Sequence, residues 1–474
     1  MEIWELSARA VAHGVRTGEF TAVQAAESVL GRVAEVDPAV NALVELHEDG
    51  ALAAAKVADD RVRAGEPVGP LHGVPVTFKV NTNVAGLPTT EGVGAYTDRV
   101  ATESDPQVTS WLRAGAIPLG RTNCPPFATR WATESEFYGA TANPWDPGVT
   151  AGGSSGGAAA AVATGMSALA QGNDIGGSIR YPAVCCGVVG IRPTKGVVPG
   201  WAGSVTHDPA MAAQAFVAQG PLARTVDDLR LGLEAMRSPD PRDATAVPPG
   251  TRLPPLTGPV RVALVTGVGG AGLAGTSTPE SVRVAEQACR WLTDAGYRVE
   301  EVAVPQLGEA ARLWWELALT EFDIGFTDEV RRVGEPGIGR FFELMYEVYR
   351  QEFGSVDLAR FVAGYARRGM LRREVSTLMA DYPLIVTPMS GEPPFPVGAD
   401  VLSADRTAEL MAHQWPSMAV PVLGLPALGV PVVRGAGAPM GVQVIGRAFD
   451  EHAVFLAGEV IEARSGIRTP VTPG

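Results

Sequence analysis

The sequence predicts an α/β protein with parallel strands in its sheet, on three observations. Residues 260–304 read strand, helix, strand: an apolar run "VRVALVTG" (260–267), a periodic segment over 279–294, and "YRVEEVAV" (297–304). Two short β-rich segments, "VPVTFKV" (74–80) and "GAIPLGRT" (115–122), are each followed by turn residues. Residues 5–65 show apolar residues at helical spacing, with Thr21 as a candidate N-cap.

Along the chain, "GAAAAVATGMSALAQ" (157–171) reads as an Ala-rich helix and "GVVGIRPTKGVVPG" (187–200) as strand, turn and strand. "ARLWWELALTEFDIGF" (311–326) and "FFELMYEVY" (341–349) read as aromatic-rich helices. "YPLIVTP" (382–388), "ALGVPVV" (427–433) and "MGVQVIGR" (440–447) are further strands. Residues 238–259, rich in Pro, Asp and Gly, look like a surface linker or long loop. That loop need not be a domain boundary, because strands on both sides can join one sheet. Length alone suggests two or three domains.

Composition bounds the function. Apolar residues make up 46% of the 474 and charged residues 19%, a globular balance. A net charge of −14 gives no basic field to hold phosphate backbones, which argues against nucleic acid as a direct ligand. "MEIWELSARAVAHGV" has no apolar signal core, and no apolar run approaches a membrane span. The cysteines, Cys124, Cys185, Cys186 and Cys289, form no CxxC, so neither a disulfide framework nor a zinc site is expected. The expected compartment is the reducing cytoplasm. No metal and no cofactor are expected.

Lys79 is the first residue that points to chemistry. The chain has three lysines, Lys56, Lys79 and Lys195, against thirty-five arginines, and Lys79 sits inside the apolar run "LHGVPVTFKV". A lysine can lose its proton and a guanidinium practically cannot. Taken alone, the residue reads first as a strand end that reaches solvent.

"TAGGSSGGAAAAVATG" (150–165) is the densest local signal. Gly-Gly pairs flank Ser154 and Ser155 directly before a helix. A phosphate loop would need a lysine that is absent here. Gly152 to Gly156 satisfies GxSxG, the nucleophile elbow, which then requires a histidine such as His413 or His452. A plain glycine-rich turn is the third reading. Twenty residues on, "GNDIGGSIRYPA" (172–183) frames Ser178 with glycines. The backbone from Ile175 through Gly176 and Gly177 to Ser178 is able to gather N–H groups around one point, as an oxyanion hole requires. Asp174 and Arg180 bracket this loop with opposite charges.

Together with "GLPALGVPV" and "PMGVQVIGR" near the end, these segments resemble the amidase signature family, most clearly over residues 70–230. The resemblance implies one α/β/α domain, 1–474, around a large mixed, mostly parallel sheet. N-terminal helices would fill 1–70, catalytic motifs 71–235, and a helical substrate-pocket region 305–380. It implies Ser178 as nucleophile, Ser154 as the serine preceded by a cis peptide, Lys79 as base, and Ile175–Ser178 as oxyanion hole, with Ser155, Asp174 and Arg180 supporting the loops. The implied activity is hydrolysis of a small-molecule amide through an acyl-enzyme, with esterase activity alongside. The alternatives are acyl transfer to another acceptor and the role of the A-type subunit in an amidotransferase. A homodimer is the expected assembly, with no membrane or nucleic-acid partner. Two positions depart from the family pattern: Val80 follows the lysine where aspartate is common, and Pro126 stands where an acidic residue is usual.

Specificity is expected from segments between the motifs. Thr129 and Trp131, from "TRWATESEFYG" (129–139), and Trp314 and Phe322 are the substrate-binding candidates. Phe326, Met345 and Tyr346 are further candidate walls, although aromatics at helical spacing usually belong to the core. His207 falls near the expected entrance and reads as structural.

Overall fold

The computed structural model describes residues 2–200, 209–269, 273, 275–333 and 335–473, and His207 lies outside them. Eleven strands form one sheet. In chain order they are β1 (Leu43–Leu46), β2 (Pro75–Lys79), β3 (Ile117–Thr122), β4 (Leu169–Asp174), β5 (Val189–Arg192), β6 (Ala218–Ala223), β7 (Arg261–Leu264), β8 (Arg298–Glu301), β9 (Leu384–Pro388), β10 (Ala427–Arg434) and β11 (Pro439–Gly446). Across the sheet the order is β1-β3-β2-β4-β6-β5-β10-β11-β9-β7-β8. Strands on both sides of the 238–259 loop join this sheet, so the chain is one α/β domain flanked by helices.

The sheet is mixed, but the expectation that it is mostly parallel is corrected. Of its ten neighbour pairings, four are parallel and six antiparallel. Strand–helix–strand patterning detects local crossovers such as β7 to β8, which pair in parallel. It is blind to the centre, where β6, β5 and β10 meet antiparallel across long sequence separations.

Local signals explain most element boundaries. The Thr21 hydroxyl accepts the Gln24 N–H at 3.0 Å while the Gln24 side chain accepts the Thr21 N–H at 2.8 Å, a capping box that starts helix Ala22–Val40. The N-terminal stretch also forms helices Ala8–Thr17 and Glu48–Arg63, with β1 between the last two. The Ala-rich segment does not stay helical to residue 171. Its helix runs Gly156–Ala163 and stops before Gly165, whose φ is +83°. The apolar run then continues as β4, between β2 and β6. Residues 187–200 supply one strand, β5, rather than two.

Two arrangements position the site. The parallel neighbours β2 and β4 set Val76 opposite Leu169 and Thr77 opposite Ala170, so Lys79 and Asp174 end the two strands on the same edge. Helices Pro305–Gly325 and Pro336–Phe353 stand over that edge. Their inner faces, with Trp314, Trp315, Phe341 and Phe342, belong to one apolar cluster with Trp131 and Met418.

Candidate active site

Lys79 is fully buried at the end of β2. Its Nζ lies 2.7 Å from Ser154 Oγ and 3.0 Å from Asn173 Oδ1. Burial lowers its pKa from 10.5 to about 8, with Asp174 among the groups pulling the other way. A neutral amine is therefore accessible near physiological pH, and in that form the Ser154 hydroxyl donates to Nζ.

Ser154 lies at a turn that only glycine-rich sequence can form. The Gly153–Ser154 peptide is cis, and Gly152 has φ +79°. A Cβ on Gly152 would lie 2.4 Å from Pro182 Cα, and one on Gly153 2.5 Å from the Arg130 carbonyl oxygen. Thr133 ties the turn down: its hydroxyl donates to the Gly152 carbonyl at 2.9 Å and accepts the Gly156 N–H at 3.0 Å. The Ser155 N–H donates to the Ser178 carbonyl at 3.1 Å, joining the two serine turns. The Ser155 hydroxyl is buried without a partner among the described residues.

The loop carrying Ser178 is built around a buried ion pair. Arg180 Nε and Nη2 donate to Asp174 Oδ2 and Oδ1 at 2.9 and 2.8 Å, and both side chains are fully buried. Burial pushes the Asp174 carboxyl up, but Arg180 overcomes it and holds the carboxyl at about 2. The same carboxylate accepts the N–H groups of Gly177 (2.9 Å) and Ile179 (3.2 Å). Gly177 is thus spent on holding the loop. The N–H groups of Ile175, Gly176 and Ser178 have no acceptor among the described residues, and these three residues line the cavity. Two indole N–H groups hold the loop from the other side: Trp314 donates to the Ile175 carbonyl at 2.7 Å and Trp131 to the Gly176 carbonyl at 3.2 Å.

Ser154 and Ser178 open into a cavity of about 240 Å³. Its wall is mainly aromatic: Phe127, Trp131, Trp314, Trp315, Phe322, Phe326, Phe341 and Phe342, with Met345 and Met418. All four substrate-binding candidates, Thr129, Trp131, Trp314 and Phe322, line it. Tyr346 does not; its hydroxyl meets Thr327 at 3.2 Å. The nucleophile-elbow alternative finds no histidine. His413 lies 3.5 Å from Glu392, His452 contacts Arg230 at 3.1 Å, and neither lines the cavity.

Sequence reading missed three polar residues here. Asn173 accepts from Lys79 and pairs with Asn81, whose Oδ1 accepts the Asn173 amide at 3.0 Å. Its place one residue before Asp174, on the strand beside Lys79, was the available signal. Glu91 also lines the cavity, with φ +53° and a carboxyl that burial raises to about 7. Val80 and Pro126 are both buried, Val80 donating its N–H to the Thr122 carbonyl at 3.0 Å.

A lysine–serine pair at the mouth of a glycine-framed serine loop, on a large mixed sheet, defines a class of amide-cleaving enzymes. The family model described as Amidase matches residues 24–455, and the chain belongs to that family. The chain is 37% identical to an indoleacetamide hydrolase of Bradyrhizobium diazoefficiens, over 98% of this chain and 87% of the relative. It is 31% identical to the A-type subunit of a glutamyl-tRNA(Gln) amidotransferase of Chloroflexus aurantiacus, over 97% of each chain. The solved structure of 6-aminohexanoate cyclic dimer hydrolase complexed with substrate superposes with a TM-score of 0.83 at 26% identity, covering 100% of both chains. The chain is an amidase, an enzyme that hydrolyses amide bonds.

Proposed function

We propose that the enzyme cleaves the primary amide of a small aromatic acid, of the arylacetamide type, through an acyl-enzyme on Ser178. The observation that carries this reading is the Lys79–Ser154 contact of 2.7 Å at the floor of a cavity walled by aromatic rings. Ser178 Oγ attacks the carbonyl carbon and passes its proton to Ser154, whose own proton moves to the neutral Lys79 amine. The carbonyl oxygen, now negative, takes the free N–H groups of Ile175, Gly176 and Ser178. Ser154 then protonates the departing nitrogen and is itself reprotonated by Lys79. Water repeats the sequence on the acyl-enzyme and frees the acid.

The amidotransferase alternative asks for a pocket that grips the charged groups of glutamine. Arg130, the cation on this cavity wall, is instead paired with Asp400 at 2.8 Å and Glu134 at 2.9 Å. The aromatic wall and the 37% identical indoleacetamide hydrolase both favour an aryl acyl group. Four buried, unpaired cysteines suit action in a reducing cytoplasm.

Intact-protein mass spectrometry during turnover of indole-3-acetamide and phenylacetamide tests the reading. The expected result is a mass gain of one arylacetyl group on Ser178, absent in Ser178→Ala. An adduct on Ser154, or no turnover of any arylacetamide, would overturn it.

A further inference from the structure

Glu91 takes no part in the chemistry above, yet it lines the same cavity. Its carboxyl accepts no hydrogen bond and joins no ion pair among the described residues. The charged groups nearest in effect, Arg99 and Glu329, pair with each other at 3.2 Å, and the other polar groups on the cavity wall are committed. Arg130 is paired with Asp400 and Glu134, and the Thr129 hydroxyl donates to the Pro126 carbonyl at 3.1 Å. The indoles of Trp131 and Trp314 hold the nucleophile loop.

An unpaired carboxyl facing an aromatic cavity is costly to keep, and burial raises its pKa to about 7. The backbone around it is specified too. Glu91 has φ +53°, a region few side chains adopt, and its carbonyl accepts the Phe127 N–H at 2.7 Å. Phe127 meets Phe326 edge-on, with ring centroids 4.6 Å apart, and both rings line the cavity. The turn therefore fixes a hydrogen-bond acceptor beside a surface made for a flat aromatic group.

We propose that Glu91 is a specificity residue for the acyl half of the substrate, accepting a hydrogen bond from an N–H on the aromatic ring seated against Phe127 and Phe326. The inference rests on the arylacetamide reading and narrows it to ring systems with an N–H edge, such as indole. A site built to bond such a group discriminates against an isostere that lacks it, because the acceptor is then left facing an apolar ring without a partner.

The test compares kcat/KM for indole-3-acetamide with that for benzothiophene-3-acetamide, in which sulfur replaces the N–H at nearly constant shape. The wild-type enzyme is expected to prefer the indole by about 10-fold to 100-fold, the range for a hydrogen bond to a charged group. In Glu91→Ala the ratio should fall to near one. Glu91→Asn tolerates the positive φ and withdraws the acceptor by one methylene, so it should lower the ratio even if the alanine variant folds poorly. Glu91→Gln, which keeps an acceptor oxygen, should retain part of the preference. Equal turnover of both amides by the wild type, or a ratio that survives in Glu91→Ala and Glu91→Asn, overturns the role of Glu91 and leaves the amidase reading standing. Cleavage of neither amide, with no adduct on Ser178, overturns the arylacetamide reading and the Glu91 proposal with it.

Discussion

In the proposed mechanism, Lys79 ties the enzyme's rate and its stability to one proton. The folded pKa of about 8 lies below the ordinary 10.5, so between those values the unfolded chain binds more protons than the folded one. Stability from this group therefore rises with pH across that window, and the full cost of burying the charge is present below about 8. Activity is expected to rise with pH through a single basic group near 8 as the amine is freed. A pH profile of kcat/KM checks this, and a flat profile from pH 6 to 9 would sink the general-base role. Lys79→Met should be inactive yet no less stable at pH 7, by a margin on the order of 1–3 kcal/mol in its favour. Chemical denaturation of the two proteins measures that margin. Lys79→Arg should also be inactive, since a guanidinium has no proton to lose at these pH values.

At the scale of the element, the loop carrying Ser178 is a short turn held from both sides. Asp174→Asn leaves the Arg180 guanidinium buried against a neutral partner, so a loss of about 3–5 kcal/mol is expected in denaturant melts. Gly177→Ala is strained at φ +97° and places its Cβ 2.7 Å from the Ser417 side chain. Its effect should appear as a fall in kcat larger than any change in KM, because the loop geometry matters most once charge develops on the oxygen. The loop was legible in the sequence because its core is local: two glycines, a serine, and Asp174 six residues before Arg180. What stayed hidden is the division of labour among its N–H groups. Gly177 faces Asp174 rather than the cavity, and Asn173 reaches Lys79 across two strands. Both depend on register and rotamer, which no spacing of residue types encodes.

For the whole molecule, the strands with strong apolar runs were readable, and the antiparallel centre of the sheet was not. β6, "AQGPLA", carries a glycine and a proline and lacks a β-branched run, yet it is buried throughout between β4 and β5. Tertiary placement outweighs propensity there. The helical segment 305–353 was readable as helices, but which of their aromatics face the cavity depends on how they seat over the sheet. Phe322 and Phe326 reach it and Tyr346 does not. Phe322→Ala should enlarge the acyl site without touching the serine turns. The ratio of kcat/KM for 1-naphthylacetamide over phenylacetamide is expected to rise about tenfold or more, the scale on which apolar pockets discriminate. An unchanged ratio would place Phe322 outside the acyl site.

The two indole contacts to the Ser178 loop also constrain how such an enzyme can change its diet. Trp131 and Trp314 wall the cavity and brace the carbonyls of Gly176 and Ile175 at once. Replacing Trp314 to admit a new acyl group would unsettle the Gly176 N–H, which shares its peptide with the Ile175 carbonyl, and replacing Trp131 would unsettle the Gly177 N–H, through which Asp174 holds the loop. A lineage exploring new amides is thereby steered toward Phe322, Phe326 and Met345, helix positions that shape the cavity with no bond to the loop. Phe326, which closes helix Pro305–Gly325, belongs to that freer set together with the other two. Substrate range is thus free to drift on one wall of the cavity while the other is held in place by the chemistry it supports.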